Sequence, residues 1–144
     1  MATKKGNDID ARLRKAFMTL RSLIIESRKA FESGDESRAE PIAQQTKKTL
    51  LIIEDSARML LESGIMSDLV PKTEESEYIP AGFPCYSIID TCANALRLME
   101  CGKVISTGFL YLLLLDVANF IDGELIGGLS GVSGDYGTLL SEGV

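Results

Sequence analysis

Apolar residues recur every three or four positions along the first half of the chain. From about Ile9 to Glu32 they form one stripe at spacings of three, four and seven: Leu13, Phe17, Leu20, Ile24 and Phe31. This period predicts a helix with a single buried face. Ser33-Gly34-Asp35 then supplies a helix stop, and a second stripe runs from Glu36 or Pro41 to Glu62. Because proline is tolerated only within the first turn of a helix, Pro41 should lie close to the second start.

The second half of the chain carries two further helical segments, which follow a linker. Residues 71–84 include three prolines and the acidic run Glu74-Glu75-Ser76-Glu77, a composition that does not continue a helix. A third helix is predicted from about Cys85 to Glu100. The fourth, from about Val104 to Asp122, contains seven consecutive apolar residues at positions 109–115. A helix that is apolar on nearly all sides is expected to lie at the centre of its fold.

These segments predict an all-α protein, a four-helix bundle made of two helical hairpins. The length of 144 residues suits one domain rather than two. The N-terminal hairpin would occupy residues 1–70, the acidic linker 71–84 and the C-terminal hairpin 85–122. Because helices joined by short turns pack antiparallel, each pair is expected to form such a hairpin.

The last 22 residues are rich in glycine. They hold seven of the thirteen glycines, interleaved with large apolar residues. Glycine loses more backbone entropy on ordering than any other residue, so residues 123–144 are predicted to form an irregular arm that docks on a neighbouring subunit. The candidate assembly contacts in this arm are Leu125, Leu129, Tyr136 and Leu139.

The composition argues against catalysis. The chain has no histidine, which excludes His-dependent triads and the commonest general acid or base. Its three cysteines, Cys85, Cys92 and Cys101, do not have zinc-ligand spacing. Cys85 and Cys92 share an apolar stripe and are expected in the core, whereas a redox role for Cys101 stays open. We therefore predict no catalytic residue, no metal and no cofactor.

Charge is distributed unevenly along the chain. Residues 1–50 contain 11 basic and 7 acidic residues, near +4, whereas residues 51–144 contain 4 and 14, near −10. Such a dipolar particle either stacks head to tail or presents its basic end to an acidic partner. Helix faces that simply differ in their solvated charges are the alternative.

Three arginines form a regular row on the first helix. Arg14, Arg21 and Arg28 are seven residues apart and lie at the edge of the apolar stripe. Evenly spaced guanidinium groups suit phosphate, so this row is a candidate nucleic-acid or partner contact. Ion pairing to glutamates or packing over the core edge is the competing interpretation.

Asp116 interrupts the most hydrophobic segment of the sequence. It indicates either a buried carboxylate with a raised pKa or an ion pair to an arginine such as Arg97, or a side chain that faces solvent or a subunit boundary. Residues 104–121 approach the length of a membrane span, but Asp116 and Asn119 would then lie in lipid. A central bundle helix is the preferred interpretation, and a membrane partner is not expected.

Three hypotheses for function follow from these patterns. The leading one is a non-enzymatic structural protein that self-assembles through its C-terminal hairpin and arm, into a closed oligomer or a helical array such as a virion coat. The second is a nucleic-acid-coating protein that uses the arginine row. The third is a small adaptor or chaperone that binds a partner helix, with linker 71–84 as a lid. An odd number of cysteines favours the cytoplasm, or a virion assembled inside a cell.

Overall fold

All regular secondary structure that the protein shows is helical. The computed structural model describes residues 4–102, 104–134 and 136–142. Within these ranges the elements are α1 (Lys4–Ser33), a 3₁₀ turn (Glu36–Arg38), α2 (Ala39–Ser63), α3 (Phe83–Cys101), α4 (Thr107–Asp122), a second 3₁₀ turn (Leu129–Gly131) and α5 (Tyr136–Glu142). The all-α prediction is confirmed, and α5 is an element that the sequence did not predict.

The end of the first helix and the start of the second lie close to their predicted positions. α1 starts at Lys4 rather than Ile9 and ends before Gly34, whose φ of 71° is a left-handed conformation that suits glycine. The N–H of Asp35 donates to the Ala30 carbonyl at 2.9 Å, which closes the final turn. α2 begins at Ala39, so Pro41 lies in its first turn as predicted.

The start of α4 is held by two side chains. The N–H of Phe109 donates to Ser106 Oγ at 3.1 Å, which is an N-cap hydrogen bond. The Glu36 carboxylate, on the first 3₁₀ turn, accepts from the Thr107 N–H at 3.1 Å and also from its hydroxyl. Glu36 therefore joins the α1–α2 connection to α4 and places a negative charge at the N-terminus of that helix.

The four long helices pack in pairs. α1 packs against α2 and α4, and α3 packs against α2 and α4. The α1–α2 and α2–α3 contacts are the most extensive, and the α3–α4 contact is the smallest of the four. α3 therefore meets α2 more extensively than it meets α4. The largest fully buried side chains include Phe17, Leu20, Ile24, Leu50, Ile53, Ile88, Leu110 and Leu114.

α4 is not surrounded by protein on all sides, which corrects the expectation from its apolar run. Leu110, Leu114 and Ile121 are fully buried, but Leu112 is 62% exposed and Phe120 is 65% exposed. Phe120 borders the groove between α4 and α3. Within the described part of the chain, no helix is both long and apolar enough to cross a membrane.

The glycine-rich segment folds onto its own chain, which corrects the prediction of an arm. Leu125, Leu129, Tyr136 and Leu139, the candidate assembly contacts, are all buried. The Asp122 carboxylate accepts from the Leu129 N–H at 2.8 Å, and the Tyr136 hydroxyl donates to the Phe17 carbonyl on α1. The glycines allow this turn instead of preventing order. Gly128 has φ 65° and lies so close to Asp122 that a Cβ would stand 2.5 Å from its Oδ1.

Candidate functional site: the groove between α3 and α4

A groove opens where α3 and α4 pack least tightly. Its volume is about 380 Å³, and its walls are eight residues of α3, between Phe83 and Leu98, and four residues of α4, between Leu113 and Phe120. The α3 side chains follow one another at spacings of three and four residues, so they lie on one helix face. The base of the groove is formed by the buried side chains of Ala95, Leu113 and Val117.

Large apolar side chains stand exposed along this groove. Phe83, Tyr86 and Leu98 on α3 are between 42% and 54% exposed, and Phe120 on α4 is more exposed still. Leu112 lies one helical turn before Asp116 on the same face of α4. Single exposed apolar residues are normal on a protein surface, but a continuous apolar patch marks an interaction site. The groove is such a patch.

The charged residues of the groove are acidic. Of the twelve described residues that line it, two carry a charge, and both are aspartates: Asp90 on α3 and Asp116 on α4. Both side chains are exposed. Asp116 is therefore not a buried carboxylate, and its side chain faces solvent or a subunit boundary. A partner that fills the groove with apolar side chains would place basic groups beside these carboxylates.

Linker 71–84 does not line the groove, apart from Phe83 at the start of α3 itself. It folds into turns, with the Ser76 N–H donating to the Ile79 carbonyl at 2.8 Å and the Gly82 N–H donating to the Thr73 carbonyl at 3.1 Å. Pro71, Lys72 and Thr73 instead border a separate crevice at the end of α2. The lid that the adaptor hypothesis requires is therefore not positioned over this groove.

The arginine row on α1 is not a continuous cationic surface. Arg14 is exposed, but Arg21 and Arg28 are half-buried in a cleft beside Leu139 of α5. Arg28 Nε lies 2.9 Å from a carboxylate oxygen of Glu32 on the next turn of α1. Arg21 and Arg28 thus share one cleft with the folded C-terminal segment, and the ion pair with Glu32 offsets part of the charge at Arg28.

The cysteines divide into two classes, as predicted. Cys85 and Cys92 are buried, and Cys101 is exposed at the end of α3. Burial raises the pKa of Cys85 from its ordinary value of 9.0 to about 11. Burial, and to a smaller extent the charge of Glu54, raises the pKa of Cys92 to about 12. Buried thiols with raised pKa values are poor nucleophiles, so both residues belong to the core. No cluster of three metal-ligating side chains occurs in the described ranges.

The sequence pattern placed the apolar contacts in the C-terminal hairpin and the tail. In the structure Leu98 and Phe120 of the hairpin are exposed, whereas the four predicted tail contacts are buried and another tail residue, Ile126, is exposed. The signal was present in the pattern, because Leu98 and Phe83 lie off the stripe that carries Cys85, Cys92 and Met99. An apolar residue off the buried stripe is a candidate contact.

Comparison of the chain with known proteins finds no matching protein family, no matching curated protein and no matching solved structure.

Proposed function

We propose that this chain is a non-enzymatic structural protein, a four-helix bundle that self-associates through the α3–α4 groove. The observation that carries the proposal is the row of exposed apolar side chains along that groove, formed by Phe83, Tyr86, Leu98 and Phe120. Full burial of one such side chain contributes roughly 1.5–3 kcal/mol, so covering several of them would drive association.

The role of the tail in this proposal differs from the expectation at the sequence level. Because Tyr136 and its apolar neighbours are buried in their own chain, they stabilise the subunit and do not contact the next one. Assembly then depends on the helical surface alone. A closed ring and an open helical array, such as a virion coat, are both compatible with one apolar groove per subunit.

Mass measurement by light scattering after size exclusion tests this function. The wild-type chain is expected to form oligomers whose mass rises with concentration. Leu98→Gln and Phe120→Gln, which place a polar group on the groove, should shift the protein to monomer. Ile126→Gln is the matched control, because Ile126 is 53% exposed but lies outside the groove. A wild-type chain that stays monomeric at every concentration would refute self-association.

The adaptor function is the competing proposal, since the same groove suits an amphipathic helix of another protein. Its acidic residues Asp90 and Asp116 favour a helix with apolar and basic side chains. The two functions differ in the state of the isolated chain. An adaptor remains monomeric until the partner helix is added, whereas the structural protein assembles alone.

A further inference from the structure

We infer that the groove binds the α1–α2 surface of a second copy, so that subunits join head to tail. This inference rests on the proposed self-association and adds the identity of the opposing surface. The α1–α2 surface is defined here by Lys15 on α1 and Lys48, Leu51 and Ile52 on α2.

The α1–α2 surface combines exposed apolar and basic side chains. Leu51 is 55% exposed and Ile52 is 41% exposed, both near the middle of α2. The cleft beside them is lined by eight residues that include Arg12, Lys15 and Lys48, and none of these eight is acidic. Arg12 is paired with Asp55 at 3.3 Å, so Lys15 and Lys48 are the exposed cations that face outward here.

The two surfaces match in charge and in spacing. The groove offers Asp90 and Asp116, whereas the α1–α2 cleft offers lysines. On α2, Lys48 lies one helical turn from Ile52, and on α4, Asp116 lies one turn from Phe120. Four helical residues span about 6 Å, so one ion pair and one apolar contact fit in the same register. The exposed side chains of α2 would pack between α3 and α4, as rows of side chains on one helix pack into the grooves of another.

A symmetric contact between two grooves is less favourable. It would bring Asp90 and Asp116 of one copy against the same carboxylates of the other, and like charges facing each other across an interface oppose association. The head-to-tail contact replaces this repulsion with attraction between opposite charges.

The packing order of the helices places the two surfaces on opposite sides of the subunit. α1 meets α2 and α4, and α3 meets α2 and α4, so the α1–α2 side faces away from the α3–α4 side. Each surface therefore stays accessible when the other is bound. A head-to-tail contact of this kind is heterologous, and it produces an open filament or a ring according to the rotation between copies.

Mixing two variants, each with one of the two surfaces blocked, tests the inference. Asp116→Lys blocks the groove, and Lys48→Glu blocks the α1–α2 surface. Each variant alone should associate about a hundredfold more weakly than wild type, because it opposes like charges at the contact. An equimolar mixture should assemble again, because Asp116 of one variant meets Lys48 of the other at one contact, and the two substituted residues, which have opposite charges, meet at the next. The double variant Asp116→Lys/Lys48→Glu, which exchanges the two charges, should recover assembly.

The outcomes separate the inference from the function on which it rests. Far-UV circular dichroism first shows that each variant is folded. If Lys48→Glu assembles as wild type does, the opposing surface has been assigned wrongly, although self-association through the groove stands. If the equimolar mixture does not assemble while wild type does, the head-to-tail contact is overturned as well. If wild type itself is monomeric, the proposed function fails first.

Discussion

Removing the Tyr136 side chain provides the sharpest test of how the C-terminal segment is held. This side chain is fully buried, and its hydroxyl donates to the Phe17 carbonyl 119 residues earlier in the chain. Burial raises the pKa of Tyr136 above its ordinary value, although the nearby Arg21 acts in the opposite direction. Tyr136 is therefore a core residue of the subunit and not part of a docking arm.

The expected losses of unfolding free energy follow from these contacts. Replacing a buried aromatic residue by alanine costs about 3–5 kcal/mol of unfolding free energy, through lost burial and the cavity that remains. Tyr136→Phe keeps the ring and removes only the hydroxyl, so it should cost about 1 kcal/mol. A domain of this kind has a total stability of about 5–15 kcal/mol, so the alanine variant should be strongly destabilised.

Urea unfolding followed by circular dichroism measures both variants. Tyr78→Ala is the matched control, because Tyr78 is 86% exposed and its loss should change stability by less than about 0.5 kcal/mol. A loss below about 1 kcal/mol for Tyr136→Ala would show that the segment is not packed in the core, and the reasoning about the tail would be refuted.

Three further predictions concern the loops and the core. Glu36→Ala should cost about 1–2 kcal/mol in urea unfolding, because α4 loses the acceptor at its N-terminus, and Glu36→Gln should cost less. Gly128→Ala should destabilise more than Gly34→Ala in the same assay, since both positions have positive φ but only the Cβ at Gly128 would collide with another side chain. The unfolded thiol of Cys92 loses its proton near pH 9.0 and the folded thiol only near about 12, so its contribution to stability is complete below pH 9 and falls above it. The slope is about 1.4 kcal/mol per pH unit for this group, and Cys85, whose pKa is raised to about 11, adds a slope of the same sign between pH 9 and 11. Cys92→Ala should therefore lower the total slope by about that amount, whereas Cys101→Ala should leave it unchanged.

The sequence by itself determined the helical class and most helix boundaries of this protein. The apolar period of 3.6 residues is a local property, and so are the breaks at Gly34 and Pro41, because each depends on the backbone of only a few residues. The burial of Cys85 and Cys92 followed from the same period. For these features the pattern along the chain and the structure agree.

Only the tertiary structure decided which apolar residues are covered. The run at 109–115 looks uniformly buried in sequence, but Leu112 within it is exposed, and so is Phe120, which borders the groove between α3 and α4. The glycine-rich tail looks like a free arm, but Asp122 and the distant Phe17 carbonyl supply its hydrogen bonds. Periodicity indicates that a helix face is apolar, but it does not indicate which residues will pack against that face. That depends on contacts between residues far apart in the chain, which no local pattern encodes.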